Sequence, residues 1–196
     1  MAVNGVPHMR RRICPVWGAQ YSRLITASLA ATVVSGLAAC SPAFNWRETP
    51  IASTGLVALF PCKPQTVSRS VDLGGQKVEL HMASCDTDGV TVAIGHATVK
   101  DASALGAALQ QWRDATLAGV RPSAPPQMTP FTLKQSLALP QALSVQATGS
   151  APDGRSVHLQ GAWFARGSEV FAAVMYANAA LSAEVAEPFF SGLKFR

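Results

Sequence analysis

Charge is scarce in this 196-residue chain: Asp, Glu, Lys and Arg together make up 14% of it. The first 39 residues contain no acid at all but hold Arg10, Arg11, Arg12 and Arg23, so the formal net charge of +5 belongs largely to them. From residue 40 onward 12 Lys and Arg face 11 Asp and Glu, a net charge of +1. Without a basic cluster to track a phosphate backbone, nucleic-acid binding is excluded. Catalytic signatures are missing as well. There is no Gly-x-Ser-x-Gly elbow, and Gly149-Ser150-Ala151 precedes a turn instead of opening a helix. Neither a Cys-x-x-Cys nor a His-x-x-x-His pair occurs. Asp86-Thr87-Asp88-Gly89 starts like a calcium loop, but its twelfth position is Ala97 where a bidentate Glu is needed, so it reads as a hairpin turn. The acids lie mainly at turns and helix ends, and no two stand out as a glycosidase pair. The expectation is a protein that is not an enzyme and has no cofactor.

The longest uncharged apolar run is Leu24–Cys40, LITASLAATVVSGLAAC. A basic lead, an apolar core and small residues at its end are the pattern of a secretory signal. Leu24–Ala39 is shorter than the roughly 20 residues needed to cross a bilayer as a helix. An ordinary secreted protein and an uncleaved anchor, the latter kept open by Arg23, are the weaker alternatives. Arg11-Arg12 lies too far from the apolar run, and lacks the flanking residues, for a twin-arginine signal.

The four residues Leu37-Ala38-Ala39-Cys40 resemble the lipobox of bacterial lipoproteins. That resemblance implies cleavage after residue 39, acylation of the Cys40 thiol and acylation of the new amino terminus. One acyl chain holds a protein marginally and a second makes attachment stable. Ser41 after the cysteine resembles the enterobacterial signal for the outer membrane in preference to the inner. The implied partners are membrane lipid, through acylated Cys40, and an unidentified envelope protein, with the domain facing the periplasm.

The expected organisation is a cleaved signal peptide over 1–39, a lipid-anchored tether over 40–52 and one domain over 53–196. Ser41–Pro50, SPAFNWRETP, would reach at most about 35 Å when extended. Phe44 and Trp46 suit either the membrane interface or packing of a first strand. With Cys14 lost in the leader and Cys40 lipidated, Cys62 and Cys85 remain. Gly74-Gly75 reads as a two-residue hairpin turn, which sets Leu73 against Gln76 and, in the same register, Cys85 against Pro64. Cys62 is two residues further, within reach of a disulfide after a short shift. A redox pair or metal ligands are the alternatives.

Strands are expected at Leu56–Phe60, Val67–Leu73, Lys77–Ser84 and Val90–Val99, an antiparallel meander. Asp101–Val120 changes to helical spacing through Leu105, Ala108, Leu109, Trp112, Thr116 and Leu117, with Asp101 or Ser103 at its start and Gly119 at its end. Arg121–Pro130 reads as a loop. A second meander is expected over Phe131–Leu139, Ala142–Thr148, Arg155–Ala165 and Glu169–Tyr176, the last apolar enough to be covered on both faces. Ser182–Leu193 closes the chain as a helix beginning near Glu187-Pro188, before a short strand at Lys194–Arg196. The fold class is α+β, antiparallel sheets from two meanders with a main helix and a C-terminal helix against them.

GLVALFPCKP, the helix after the first meander and AEPFFSGLKF resemble the PsbP-like group of α+β sandwiches over Gly55–Arg196. That group includes bacterial lipoproteins and usually acts as an accessory or binding module, and the resemblance transfers no site residues. His81, Met82, His96 and His158, with the two cysteines, are the donors a soft metal would use. However, His81 and Met82 are neighbours on a strand and point to opposite faces, so solvent-facing histidines are expected. Trp112, Trp163, Phe164, Phe171, Tyr176, Phe189 and Phe190 suit a core, or an apolar ligand cleft.

Overall fold

A computed structural model describes residues 44–196. Cys14, the expected signal peptide over 1–39, the lipobox-like Leu37-Ala38-Ala39 and the expected lipidation site Cys40 lie outside the described residues. The chain runs β1 (Arg47–Pro50), β2 (Leu56–Phe60), β3 (Gln65–Leu73), β4 (Gln76–Thr87), β5 (Val90–Thr98), α1 (Leu105–Val120), β6 (Gln127–Pro130), β7 (Leu143–Ser150), β8 (Ser156–Arg166), β9 (Glu169–Ala177), α2 (Ala183–Ser191) and β10 (Lys194–Phe195). Strands β3-β4-β5-β9-β8-β7-β6 form one antiparallel sheet, and β1-β2-β10 form a second, smaller one. The α+β class and both helices are as expected.

Strict alternation splits the large sheet into two apolar faces. Leu80 on β4, Ala93 on β5, Leu159 and Trp163 on β8 and Val174 on β9 pack with Leu105, Ala108 and Leu109 of α1. Cys85, Ile94, Phe164, Phe171 and Met175 point the other way, onto Leu56 and Phe60 of the small sheet and Phe189 of α2. Residues 170–175 of β9 are all buried, which is why this strand reads as continuously apolar. Cys62 and Cys85 form a disulfide with Cα atoms 6.0 Å apart. Leu73 faces Gln76, and the ladder ends with Gln65 opposite Ser84, one step before the cysteine.

Four expectations are corrected. The tether does not extend to residue 52: β1 pairs with β2, the Asn45 amide donates to the Pro61 carbonyl at 2.8 Å, and Ile51 is buried. Pro50 sits at the end of this edge strand, where a missing N–H is tolerated. The loop after α1 contains the short edge strand β6, again ending on a proline, Pro130. Phe131–Leu139 is not a strand. Ser136 closes a local turn with Leu133, Gln135 takes a positive φ of 72°, and single amides reach out instead, Leu137 to the Ala165 carbonyl at 2.8 Å. Its apolar side chains Phe131, Leu133 and Leu139 still pack on the core, which is what its composition reported. Finally, α2 begins at Ala183 and holds Pro188 in its interior. The proline leaves only the exposed first turn short of a hydrogen bond, and burial of Ala186 and Phe189 holds the helix.

Helix α1 follows a short 3₁₀ turn at Ala102–Ala104, where Asp101 accepts from the Ser103 amide at 2.9 Å and its hydroxyl at 2.7 Å. It ends at Arg121, whose φ of 47° makes the left-handed cap expected of Gly119, and Gly119 lies inside the helix. Trp112 lies across Gly95 of β5: a Cβ there would meet the indole at 2.6 Å. Gly95→Ala is therefore expected to cost about 1–3 kcal/mol through overpacking. Gly119→Ala, with no atom within 4 Å of its added methyl, should gain about 0.5–1 kcal/mol. Urea unfolding of both variants checks the pair, and equal effects would refute the packing assignment.

Candidate functional site

The turn between β4 and β5 is only Asp88-Gly89, with Thr87 facing Val90. Six residues outward on each strand, this register sets His81 against His96. The next ladders continue the row, Ser68 of β3 beyond His81, then Phe171 of β9 and Phe164 of β8 beyond His96. Their rings stack across the sheet. Centroids are 5.0 Å apart for His81–His96, 6.2 Å for His96–Phe171 and 5.2 Å for Phe164–Phe171. Phe131 extends the row from Phe164, and Phe195 meets Phe164 and Phe171 edge-on, with the Arg166 guanidinium 4.5 Å from its own centroid.

The row is apolar at one end and polar at the other. At the polar end Ser68 Oγ and His81 Nδ1 are 2.7 Å apart. His96 is only 7% exposed, and its Nδ1 has no hydrogen-bond partner among the described residues, the Glu169 Oε1 atom lying 3.8 Å away. Burial, and after it the neighbouring His81, holds His96 below the ordinary imidazole range. Burial pushes Glu169 up, against the pull of Arg166. Above these groups Thr49–Ala52, with Pro64 and Thr66, closes a cleft of about 270 Å³ that both histidines line. Two imidazoles, a hydroxyl and apolar walls make a place for a small, mainly apolar molecule with one polar group.

The expectation of solvent-facing histidines holds for none of the three in full: His81 and His158 are half-buried, and His96 is buried. His158 on β8 shares the face of the pair but bonds Thr148 of β7 at 3.2 Å, three strands from His81, and stands apart from it. The missed signal lay in turn length. Reading Asp86–Gly89 as the turn displaces the β4–β5 register by two residues and hides the facing histidines. The imidazole planes are 21° from parallel, so their in-plane lone pairs run side by side and do not converge on one ion. Cys62 and Cys85 are used in the disulfide, and among the described residues no group of three or more His, Cys, Asp or Glu is placed to hold a metal.

The aromatic residues divide. Trp163, Phe164, Phe171 and Phe189 are core, with no exposed surface. Tyr176 lines a more open cleft of about 560 Å³ together with Thr116, Asp86 and Arg155. Burial raises its phenol, and a hydrogen bond with Thr116 opposes that. No protein-family model matches this chain, and no curated protein matches it.

Protonation of His96 is expected to show in stability. Its folded pKa is depressed, so the unfolded chain takes up the proton first. The contribution of the neutral ring is complete above the unfolded value, roughly 6.5, and is lost as pH falls from there through the lower folded value. Glu169, raised in the folded chain, acts with the opposite sign and in the carboxylate range. His96→Phe, which continues the stack, should flatten the fall in unfolding free energy just below pH ~6.5. Urea titrations through that range measure it, and an unchanged slope would remove His96 as the cause.

Proposed function

We propose that this is a lipid-anchored protein of a bacterial envelope, facing the periplasm, whose domain is a non-enzymatic accessory or interaction module. The observation that carries the reading is the Cys62–Cys85 disulfide. These are the two cysteines left once Cys14 has gone with the leader and Cys40 has been acylated, and such bridges persist in oxidising compartments. The basic, apolar and lipobox sequence up to Cys40 supplies the export and anchoring half of the argument. Resemblance to the PsbP-like group points the same way, towards a module that serves another envelope protein. Among the described residues no helix is long and apolar enough to cross a membrane.

The cleft at His81 and His96 favours a second reading, a periplasmic binding domain for a small apolar ligand. The parallel rings make a metal the poorer occupant of that cleft.

Metabolic labelling with palmitate, followed by in-cell cross-linking and affinity capture, tests the first reading. Wild type should incorporate label and enrich a defined partner, and Cys40→Ala should lose both while its precursor accumulates. A wild-type chain that takes up no label, keeps residues 1–39 by intact mass and stays membrane-bound would mean an uncleaved anchor. Capture of nothing specific, with a thermal shift on adding a small apolar compound that Ser68→Trp abolishes, would move the assignment to ligand binding. Reduction provides a check on compartment: thiol alkylation of periplasmic protein should leave Cys62 and Cys85 unlabelled until reductant is added. The Cys62→Ala/Cys85→Ala variant should lose about 3 kcal/mol of stability.

A further inference from the structure

The described chain starts at Phe44, and Phe44 is already packed on the domain. Its ring stacks on Trp46 at 6.0 Å, with planes 16° apart, and both side chains stay half-exposed. Phe44 also lines an apolar cleft of about 260 Å³ with Leu181 and Val185, beside the β4–β5 turn. The rest of that rim is unusual for a surface loop. Between Glu169 and Glu184 there is no charged residue, and Asn178, Ala179 and Ala180 are exposed. Loops usually place polar groups in water, so an exposed alanine-rich loop beside two half-exposed rings forms an uncharged patch edged by Asp88 and Glu184.

Chain length decides what that patch meets. Only Ser41, Pro42 and Ala43 separate Cys40 from Phe44, a span of at most about 14 Å. The polar layer of each leaflet takes up roughly 5–8 Å of it, the difference between the whole bilayer and its hydrocarbon core. A domain tethered so closely cannot turn an arbitrary face to the lipid. We propose that the Phe44, Trp46 and Asn178–Leu181 patch is the surface that rests on the phospholipid interface, with the two rings at headgroup depth where amphipathic aromatics partition. This rests on acylation of Cys40. The side bearing the Gly74-Gly75 turn is then left to the periplasm.

The full lipidated chain, reconstituted into phosphatidylcholine vesicles whose acyl chains are brominated near the headgroup, provides the test. Trp163 is buried and the half-exposed Trp112 lies on the opposite, α1 face of the sheet, so Trp46 is the indole that lipid bromine should quench. Quenching in wild type that is lost in Trp46→Phe is the expected result. Leu181→Asp, which keeps both rings, should weaken it. Protein that floats with the vesicles and carries its acyl groups by intact mass, yet shows no Trp46-dependent quenching, overturns the proposed orientation and leaves the lipoprotein reading standing. Quenching unchanged in Leu181→Asp also overturns the patch. A chain without acyl groups that fails to float overturns the lipoprotein reading, and this proposal with it.

Discussion

The large sheet has two apolar faces, and neither can be left in water. Because β5, β9 and part of β8 bury side chains on both sides, one helix cannot complete the domain. Helix α1 covers one face, and the other is closed by segments from opposite ends of the described chain. Strand β2 takes β1 on one side and β10 on the other, with Phe195 opposite Leu56. Glu48 of β1 forms ion pairs with Lys194 and Arg196, exposed groups that align the ends more than they stabilise them. The burial of Phe60, Phe189 and Phe195 does the holding, at about 1.5–3 kcal/mol for each fully buried aromatic. Releasing residues 44–50 would therefore leave β2 with only the two-residue β10 beside it.

Much of this was legible before any coordinates. The Gly74-Gly75 turn, apolar runs and alternation located β2 to β5 and β7 to β9, and the helical period located α1, because each is a local pattern. The glycine pair at 74–75 set a register that brought the cysteines together. What the sequence hid were features determined by distant partners. Strand β1 is a strand only because β2 lies beside it, and RETP has no alternation of its own. Phe131–Leu139 is apolar because it packs on Phe164 and its neighbours, and apolar composition does not separate a packed loop from a strand. Pro188 misplaced the start of α2 because the rule against interior proline is a local cost that burial of Phe189 outweighs. For the histidines the error lay in the register, as the extended turn at residue 86 cost two positions and with them the pair.

The row from Ser68 to Phe131 explains why a buried histidine is tolerated in a core otherwise built of apolar residues. Phe171 and Phe164 continue an aromatic surface across β9 and β8, and a histidine ring on β5 can stack on it as a phenyl would. The difference is the nitrogen pair. A phenylalanine at position 96 would leave the row inert, whereas His96 leaves a buried polar atom unpaired beside a carboxylate at 3.8 Å, an arrangement that costs about 1–3 kcal/mol when nothing satisfies it. A ligand that satisfies the neutral ring would recover that energy, which is why the cleft above it is the most chemically specific place among the described residues.

Under the proposed acylation of Cys40, the small sheet links this cleft to the anchor. Phe44 lines the apolar patch and Pro50 lines the histidine cleft, and the six intervening steps are close to extended, about 20 Å at the rise of a strand. With three residues between Phe44 and Cys40, the cleft would open no more than a few tens of ångströms from the lipid. A soluble protein could reach it only from the side or from the periplasm, while a component of the same membrane would meet it at a fixed height. With that proposed tether, a partner or ligand already at the membrane would be favoured, since a short tether restricts the search to a thin layer and raises the effective concentration of anything sharing it.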